Sequence, residues 1–270
     1  MNPGLTDSLH RLMRAALDSR VLGYGVVALI LAAWQVLSLF GWGDIHLFPS
    51  IATIAGSLLQ LSTSLELVHH VVDSLYRILV GFVMGSAAGY LLGFVCGLST
   101  RVYELLEMSV EFLRPIPSVI LIPIAILFLG IGNTLNVAII AWACSWPVFV
   151  NTMGGVRSVD QILLNTARML GLNKWAIIRE VTLPASLPQV LTGLRVGLGI
   201  AVAVGVITEM VVSATGIGSF ILGSSLSFRV PEMYAGVVTI GLLGYLLNRA
   251  FFIIERRALK WNRGRSVHTN

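Results

Sequence analysis

The sequence predicts an all-α polytopic membrane protein with six transmembrane helices. Of its 270 residues, 56% are hydrophobic and only 11% are charged, whereas a soluble domain carries about a quarter charged residues. Long uncharged runs alternate with short polar segments, and the arginines and lysines collect in every second one of those segments. Because so few charges cannot cover a water-exposed surface, much of the chain must face lipid.

The predicted spans follow from the uncharged runs, since a helix needs roughly 20 apolar residues to cross the hydrocarbon core of a membrane. The stretch from Pro115 to Val156 contains no charge and is long enough for two spans, with a tight reversal at Gly130–Asn133. The other four predicted spans are Val21–Phe40, Ile78–Leu98, Val190–Val212 and Ala235–Ile254. An even number of spans places both termini on the same side of the membrane.

The orientation follows from the basic residues, which are enriched in cytoplasmic loops. The loops after spans two and four are basic, whereas the opposite loops carry only Arg229; the basic residues are Arg101, Arg114, Arg157, Arg168, Lys174 and Arg179. We expect a cytoplasmic segment over residues 1–20, a single transmembrane domain over 21–255 and a cytoplasmic tail over 256–270. This pattern indicates a multi-pass membrane protein with both ends in the cytoplasm, and it accounts for the net charge of +5 without a nucleic-acid partner.

The second predicted span carries a glycine at every fourth position. Small residues at this spacing let the backbones of two membrane helices approach closely. We therefore predict that this stripe packs against a neighbouring helix; it consists of Gly81, Gly85, Gly89, Gly93 and Gly97. Helix packing is favoured over contact with a solute, although a pathway between such helices stays open.

Ionisable residues inside a membrane mark functional sites by default. Glu209 lies near the end of the fifth span, four residues before Ser213. Its carboxylate either lines a pathway or is hydrogen-bonded between helices, and the sequence leaves both interpretations open. Asp73 and Arg77 stand four residues apart at the start of the second span, and this spacing predicts an ion pair within one helix.

The longest polar segment, from residue 157 to residue 188, predicts two short helices outside the membrane. Ser158 can cap the first helix, Gly171 suits its left-handed end, and Leu183-Pro184 ends the second helix. The first helix exposes an apolar face of Ile162, Leu163, Thr166, Met169 and Leu170. That face needs a cover, which is either a protein partner or the lipid headgroups.

The spacing within this segment carries a family resemblance. Ala167 is followed after three residues by Gly171, and nine further residues precede Val181-Thr182-Leu183-Pro184. This spacing resembles the EAA loop of ATP-binding-cassette importer permeases. Asn165, Thr166 and Val181 stand where that pattern usually has Glu, Ala and Ile, so a specific ion pair at position 165 is in doubt while the docking helix is not.

Further motifs over most of the chain look like those of the taurine, alkanesulfonate and nitrate importer permeases. They are Phe48-Pro49-Ser50, Ser74-Leu75-x-Arg77, Arg114-Pro115-x-Pro117, Gly130-Ile131-Gly132, Thr192-Gly193-Leu194-Arg195, Glu209-Met210 and Glu255-Arg256-Arg257. The resemblance implies the type I importer permease architecture, with an ATPase-coupling loop over residues 157–188. The coupling residues that it implies are Asn165, Thr166, Ala167, Met169, Gly171, Leu172, Leu183 and Pro184. Arg77, Glu209 and Ser213 then become candidates for the translocation path or a gate.

The resemblance also implies an assembly. Its other members are a second permease copy, two ATP-binding-cassette ATPase subunits, an external substrate-binding protein and membrane lipid. The chain has two lysines, Lys174 and Lys260, and no glycine-rich phosphate-binding loop. We therefore expect ATP and Mg on the partner ATPase, and no catalytic, cofactor or metal site in this chain.

The expected solute is a small one, either an anion of the sulfonate, taurine or nitrate type or a small heterocycle. The alternative interpretation is an ion-coupled secondary transporter or channel subunit. That alternative predicts paired charges inside the membrane or matched broken helices in two halves of the chain.

Overall fold

A computed structural model describes residues 19–40 and 48–260, with side chains from Gly25 to Leu39 in the first of these segments. Most of the predicted segment 1–20 and much of the predicted tail 256–270 lie outside the described residues. The described chain is helical because a helix supplies its own backbone hydrogen bonds in lipid. Its helices are α1 (Ser19–Phe40), α2 (Ile51–Thr63), α3 (Glu66–Leu98), α4 (Thr100–Leu113), α5 (Ile122–Leu129), α6 (Asn133–Arg157), α7 (Gln161–Met169), α8 (Lys174–Ile177), α9 (Leu183–Val212), α10 (Ile217–Leu226) and α11 (Val230–Ala258).

Four helical stretches of the described chain are long and apolar enough to cross a membrane. They are α3, α6, the continuous stretch Lys174–Val212 and α11, and the bent pair of α4 and α5 makes a fifth. The helix α1 has 22 residues, and most of its described side chains are exposed. The all-α membrane fold is therefore confirmed, whereas the count of six spans stays a prediction.

The third predicted span differs from the structure. Instead of one helix that begins at Pro115, the chain forms α4 before this point and the segment Ser118–Leu129 after it, with a bend of 85° between them. The physical reason is the pair Pro115 and Pro117, because proline lacks a backbone N–H and disfavours helix in the residue before it. The segment after the bend holds a four-residue turn and the eight-residue α5, too short to span a membrane alone.

Arg114 lies at this bend, directly after α4, and its expected place in a cytoplasmic loop stays a prediction. The side chain lines a cavity together with Trp142 and Trp146, which are the tenth and fourteenth of the 25 residues of α6. This cavity extends along α6 from Trp142 to Asn151.

The centre of the fold is formed by α3, α6 and α9. A Cβ atom on Gly85 would lie 2.2 Å from the carbonyl oxygen of Ala141, and one on Gly89 would lie 2.3 Å from that of Ser145. These distances are too short for any Cβ atom, so the glycine stripe of α3 permits a backbone contact with α6 that another residue would block.

The bundle has two ends, which we call the loop end and the far end. The loop end carries residues 157–188, and the far end carries the start of α3, the start of α6 and the end of α9. At the far end α2 begins at Ser50, whose Oγ accepts a hydrogen bond from the N–H of Thr53 at 3.1 Å. A buried apolar cluster joins α2, α3, α10 and α11 there, and it contains Leu61, Leu67, Phe220 and Ala235.

Replacing Gly89 with alanine is expected to lower the free energy of unfolding by roughly 1–3 kcal/mol, the usual cost of overpacking a tight contact. The new Cβ would meet a backbone oxygen, which cannot rotate away as a side chain could. Gly199→Ala is the matched control, because no atom lies within 4 Å of a Cβ there. It is expected to leave stability unchanged or raise it by up to about 1 kcal/mol. Thermal unfolding in detergent measures both, and equal midpoints would contradict the packing interpretation.

Candidate functional site

A buried ion pair joins α3 to α9 near the far end. Arg77 Nη1 lies 3.0 Å from Glu209 Oε1, and the two side chains are 6% and 1% exposed. Removing two charges from water costs several kcal/mol for each ion, and their attraction offsets this only when the remaining donors and acceptors are also satisfied. The surrounding hydrogen bonds therefore decide whether the pair is tolerated.

Each nitrogen of the Arg77 guanidinium has a partner. Nη1 donates to the carbonyl oxygen of Thr215 at 2.6 Å as well as to Glu209, and Nη2 donates to Thr215 Oγ1 at 2.8 Å. Nε donates to Asn133 Oδ1 at 2.7 Å. One side chain thus holds the start of α6 and the turn that follows α9.

The Glu209 carboxylate is satisfied in the same way. Its Oε2 accepts from the hydroxyl of Ser74 at 2.7 Å and from the N–H of Gly218 at 3.0 Å. Ser74 Oγ in turn accepts from the N–H of Ile217 at 2.8 Å. Gly216 has a φ of 112°, and a Cβ there would lie 2.4 Å from the Glu209 carboxylate carbon, so the turn requires glycine on both counts.

We call the side chains of Ser74, Arg77, Asn133, Glu209 and Thr215 the far-end network. The expected pair of Arg77 with Asp73 is wrong, since Arg77 pairs with a carboxylate 132 residues later in the chain. Of the two interpretations of Glu209, the structure has the carboxylate hydrogen-bonded between helices. Ser213 lies beside the network, where its hydroxyl accepts from Asn136 Nδ2 at 2.9 Å.

A cavity of about 390 Å³ lies halfway along the bundle, and we call it the central cavity. The bend between α4 and α5 forms one wall, α6 forms the second and α9 forms the third. Its lining includes Arg114, Ser118, Trp142, Trp146, Ile200 and Val204. The two indole rings meet edge to face, with 5.1 Å between their centroids.

At the loop end, α7 begins two residues later than predicted. Asp160 caps it, since its Oδ1 accepts from the N–H of Ile162 at 2.8 Å, whereas Ser158 donates backwards to the carbonyl oxygen of Gly155 at 3.0 Å. The predicted cap Ser158 is therefore wrong, because an aspartate accepts this bond as well as a serine does and Asp160 lies where the helix begins. The helix ends at Met169, and Gly171 follows its C-cap with the predicted left-handed backbone, at a φ of +78°.

The second loop helix does not stop at Leu183-Pro184, and this prediction is wrong. The helix α8, a π-helical segment at Ile178–Thr182 and α9 run on as one stretch from Lys174 to Val212. Pro184 lacks a backbone N–H, and it follows directly on the π-helical segment, where the N–H of Leu183 donates to the carbonyl oxygen of Ile178. The loop is therefore joined without a break to the helix that carries Glu209.

The loop presents a markedly apolar surface. Ala167 is buried at 4% exposure, but Met169, Leu170 and Trp175 are 89%, 75% and 80% exposed. The predicted coupling residue Asn165 is also exposed, and its Oδ1 accepts from Arg168 at 2.8 Å. Large exposed apolar side chains clustered on one short loop mark an interaction surface.

Comparison with known proteins identifies the family to which this architecture belongs. Residues 89–260 match the family described as binding-protein-dependent transport system inner membrane component. The chain belongs to this family. It is the permease subunit of an ATP-binding-cassette importer, which confirms the predicted function. ATP is hydrolysed by a separate ATPase, so the prediction that the permease is not an enzyme is also confirmed.

Named relatives cover most of the permease. It is 33% identical to the "Putative aliphatic sulfonates transport permease protein SsuC" of Bacillus subtilis, over 87% of this chain and 85% of the relative. It is 29% identical to the taurine transport system permease protein TauC of Escherichia coli, over 89% and 90% of the two chains. It is also 29% identical to the nitrate import permease protein NrtB of Synechocystis, over 85% and 86%.

Solved structures share the fold of the permease. The MetNI methionine ABC transporter in an inward-facing conformation matches with a TM-score of 0.64 at 21% identity, over 71% of this chain and 95% of that one. An amino acid ABC transporter with histidines matches with a TM-score of 0.59 at 16% identity, over 74% and 97%. The importer permease fold is therefore confirmed.

The alternative of an ion-coupled transporter required paired charges inside the membrane. Arg77 and Glu209 are such a pair, but family membership places the permease among ATP-driven importers. The hydrogen-bond partners of both groups also leave the pair little freedom to release an ion.

Sequence reasoning missed several residues that the structure brings together. Asn133 and Thr215 complete the far-end network, and His70 Nδ1 accepts from the N–H of Gly216 at 3.0 Å. It also missed that Arg114 lines the central cavity together with two tryptophans. A signal for the cavity was available, namely one arginine beside two prolines at the edge of a long uncharged run.

Glu209→Gln is expected to lower the free energy of unfolding by roughly 3–5 kcal/mol, because it leaves the guanidinium of Arg77 buried without a countercharge. The matched control is Arg229→Gln, which breaks the more exposed pair of Arg229 with Glu232 and should cost at most about 1 kcal/mol. Unfolding in mixed micelles with rising sodium dodecyl sulfate measures both. If the two variants unfolded at the same detergent fraction, the far-end network would not be a structural clamp.

Proposed function

We propose that two copies of this permease pair in the bacterial inner membrane and form the translocation path for a small anion at their interface. Two ATPase subunits dock on the loop ends, and an external substrate-binding protein docks on the far ends. Both termini and residues 157–188 then lie in the cytoplasm. In this arrangement the single transmembrane domain spans residues 21–255, and the segments 1–20 and 256–270 flank it on the cytoplasmic side.

The observation that carries this proposal is the loop. Met169, Leu170 and Trp175 expose large apolar surfaces, and the helix that begins at Lys174 continues without a break to Val212. A groove on the ATPase would cover the apolar side chains. Movement of that groove would then be transmitted along one helix to the interior of the membrane.

The far-end network is placed so that it can close the translocation path at the far end of the bundle. Arg77 and Glu209 are almost fully buried, which suits a clamp that holds the far end shut better than a surface that contacts solute. Ser213 lies on the turn that the clamp holds. We infer that ATP binding by the partner pushes on α9 and loosens this clamp, which opens the far side of the path to the binding protein.

An anionic solute is favoured by the relatives, whose names refer to aliphatic sulfonates, taurine and nitrate. It is also compatible with the central cavity, whose described lining carries one charged residue, Arg114. The probes for transport are therefore taurine, ethanesulfonate and nitrate.

Met169→Glu is expected to reduce co-purification of the ATPase at least tenfold, because a charge replaces an apolar side chain that a partner would bury. Leu226→Glu is the matched control: it is also exposed, at 73% against 89% for Met169, but it lies at the far end. Quantitative immunoblotting of the tagged permease complex measures the bound ATPase.

ATP-dependent uptake into proteoliposomes that contain the complex and its binding protein gives the second readout. Uptake should fall with Met169→Glu in parallel with the loss of ATPase. The coupling proposal is falsified if Met169→Glu and Leu226→Glu retain equal amounts of ATPase, or if the wild-type complex contains no nucleotidase.

A further inference from the structure

Three arginines surround one aromatic ring on the loop-end half of α11. The guanidinium carbons of Arg256, Arg195 and Arg249 lie 4.7, 5.6 and 5.8 Å from the centroid of the Phe252 ring. Arg249 and Arg256 stand three residues before and four residues after Phe252, so they share one face of α11, whereas Arg195 reaches the ring from α9. A ring attracts cations within about 6 Å of its centroid, so Phe252 gathers positive charge from two helices.

The positive charge of this arginine cluster exceeds its countercharge. Among the described residues, Glu255 forms an ion pair with Arg195, but Arg249 and Arg256 have no ion-pair partner there. All three arginines are exposed, and each guanidinium carries five N–H donors. The cluster therefore offers both charge and free donors to an anion from outside the described chain.

The depth of the cluster limits what this anion can be. Arg195 lies five residues inside the predicted span Val190–Val212, and Arg249 lies five residues inside the predicted span Ala235–Ile254. At 1.5 Å per residue this depth is roughly 7 Å, which a long arginine side chain can cover to reach the headgroups. The phosphate groups of the lipids are therefore within reach of the cluster.

The surface around the cluster is apolar and exposed. Only 11% of the apolar stretch of α11 is buried, against 33% and 39% for α3 and α6. Val196 on α9 and Leu246 and Ile253 on α11 are each about half exposed beside the arginines. A free phosphate ion would leave these side chains uncovered, whereas the acyl chains of a phospholipid would cover them while its headgroup meets the arginines.

The cluster also joins two helices. Phe251, the neighbour of Phe252, is buried against Leu191 and Leu198 of α9, and Glu255 of α11 pairs with Arg195 of α9. An anion held by Arg195 and Arg249 together would add a further tie between α9 and α11. α9 is part of the helical stretch that begins at Lys174 in the loop, so this tie lies on the helix that we propose as the coupling element.

We propose that Arg195, Arg249 and Arg256 bind the headgroup of an anionic phospholipid in the leaflet at the loop end. Basic clusters at the cytoplasmic ends of membrane helices are suited to such headgroups, and Phe252 holds the guanidinium groups in place. The effect on transport rests on the proposed function, because it requires that α9 transmits movement of the loop. The bound headgroup offsets the repulsion among the arginines and steadies α9 against α11, so that a push on the loop is passed on.

Native mass spectrometry of the purified permease–ATPase complex measures the affinity of the tightest-bound lipid. The wild type should bind dioleoylphosphatidylglycerol roughly tenfold more tightly than zwitterionic dioleoylphosphatidylcholine. Each arginine contributes a factor of about five, so Arg249→Gln combined with Arg256→Gln should weaken phosphatidylglycerol binding about 10- to 30-fold. Arg249→Lys combined with Arg256→Lys keeps both charges and should retain most of the affinity.

Arg257→Gln is the matched control for Arg256→Gln. Arg257 is exposed at the same depth, but it is not one of the arginines over the Phe252 ring. Arg256→Gln should therefore weaken phosphatidylglycerol binding about fivefold, and Arg257→Gln should leave it close to that of the wild type. Excess sodium phosphate should not displace the lipid, and displacement would reveal a site for free anions and overturn the lipid assignment.

ATP hydrolysis by the complex in nanodiscs gives the second readout. Partial replacement of phosphatidylcholine by phosphatidylglycerol should raise the wild-type rate about two- to fivefold, and the double glutamine variant should not respond. If lipid binding follows the expectation but hydrolysis ignores phosphatidylglycerol, the site stands and its role in coupling is refuted. A permease that never retains an ATPase refutes the proposed function, and lipid binding to the permease alone then decides the site.

Two results would overturn the site itself, namely equal affinities of Arg256→Gln and Arg257→Gln, and equal binding of the two lipids by the wild type. Loss of the ATPase or of the second permease from the double glutamine variant, with lipid binding unchanged, would assign this face to that protein partner and also overturn it. If the double glutamine variant does not fold, the single variants and the double lysine variant decide in its place.

Discussion

The close contact between α3 and α6 sets the distance on which the rest of the structure depends. Lipid tails are as apolar as leucine, so membrane helices are held together by close packing and not by the hydrophobic effect. Along the glycine stripe, carbonyl oxygens of α6 occupy the space that Cβ atoms of α3 would otherwise fill, down to Gly93 beside Phe149. α9 approaches α6 in the same way at Gly193. Within this packed core Arg77 of α3 reaches Glu209 of α9 directly.

The ion pair and the close packing support each other. Burial of Arg77 and Glu209 is tolerated because α3, α6 and the turn after α9 place a donor or acceptor at each charged atom, and those elements are held by the packed helices. The pair in turn fixes the turn at Thr215–Ile217, and so the position of α10. A buried pair adds little net stability when compared with apolar residues of the same volume, so its value here lies in selecting one arrangement of the far end.

The sequence predicts the long apolar helices α3, α6, α9 and α11, the glycine stripe and the exposed loop, because hydropathy, small-residue spacing and polar composition are local properties. It does not predict the bend of α4 and α5 or the passage of the helix through Pro184, because proline breaks a helix in one setting and is accommodated next to a π-helical segment in another, and the surrounding packing decides between them. The partner of Arg77 was also out of reach. Asp73 lies one helical turn away in the sequence, whereas Glu209 becomes a neighbour only through the fold.

The stretch from Lys174 to Val212 connects the loop to the far end of the permease through one helix. Its 39 residues extend roughly 58 Å at 1.5 Å per residue, which exceeds the hydrocarbon thickness of about 30 Å. One helix thus reaches from the loop, past the central cavity at Ile200 and Val204, to Glu209. On the opposite side of the cavity the helix is interrupted by the bend at Arg114. In the coupling that we propose, a displacement of the loop moves the α9 wall of the cavity relative to the wall at the bend.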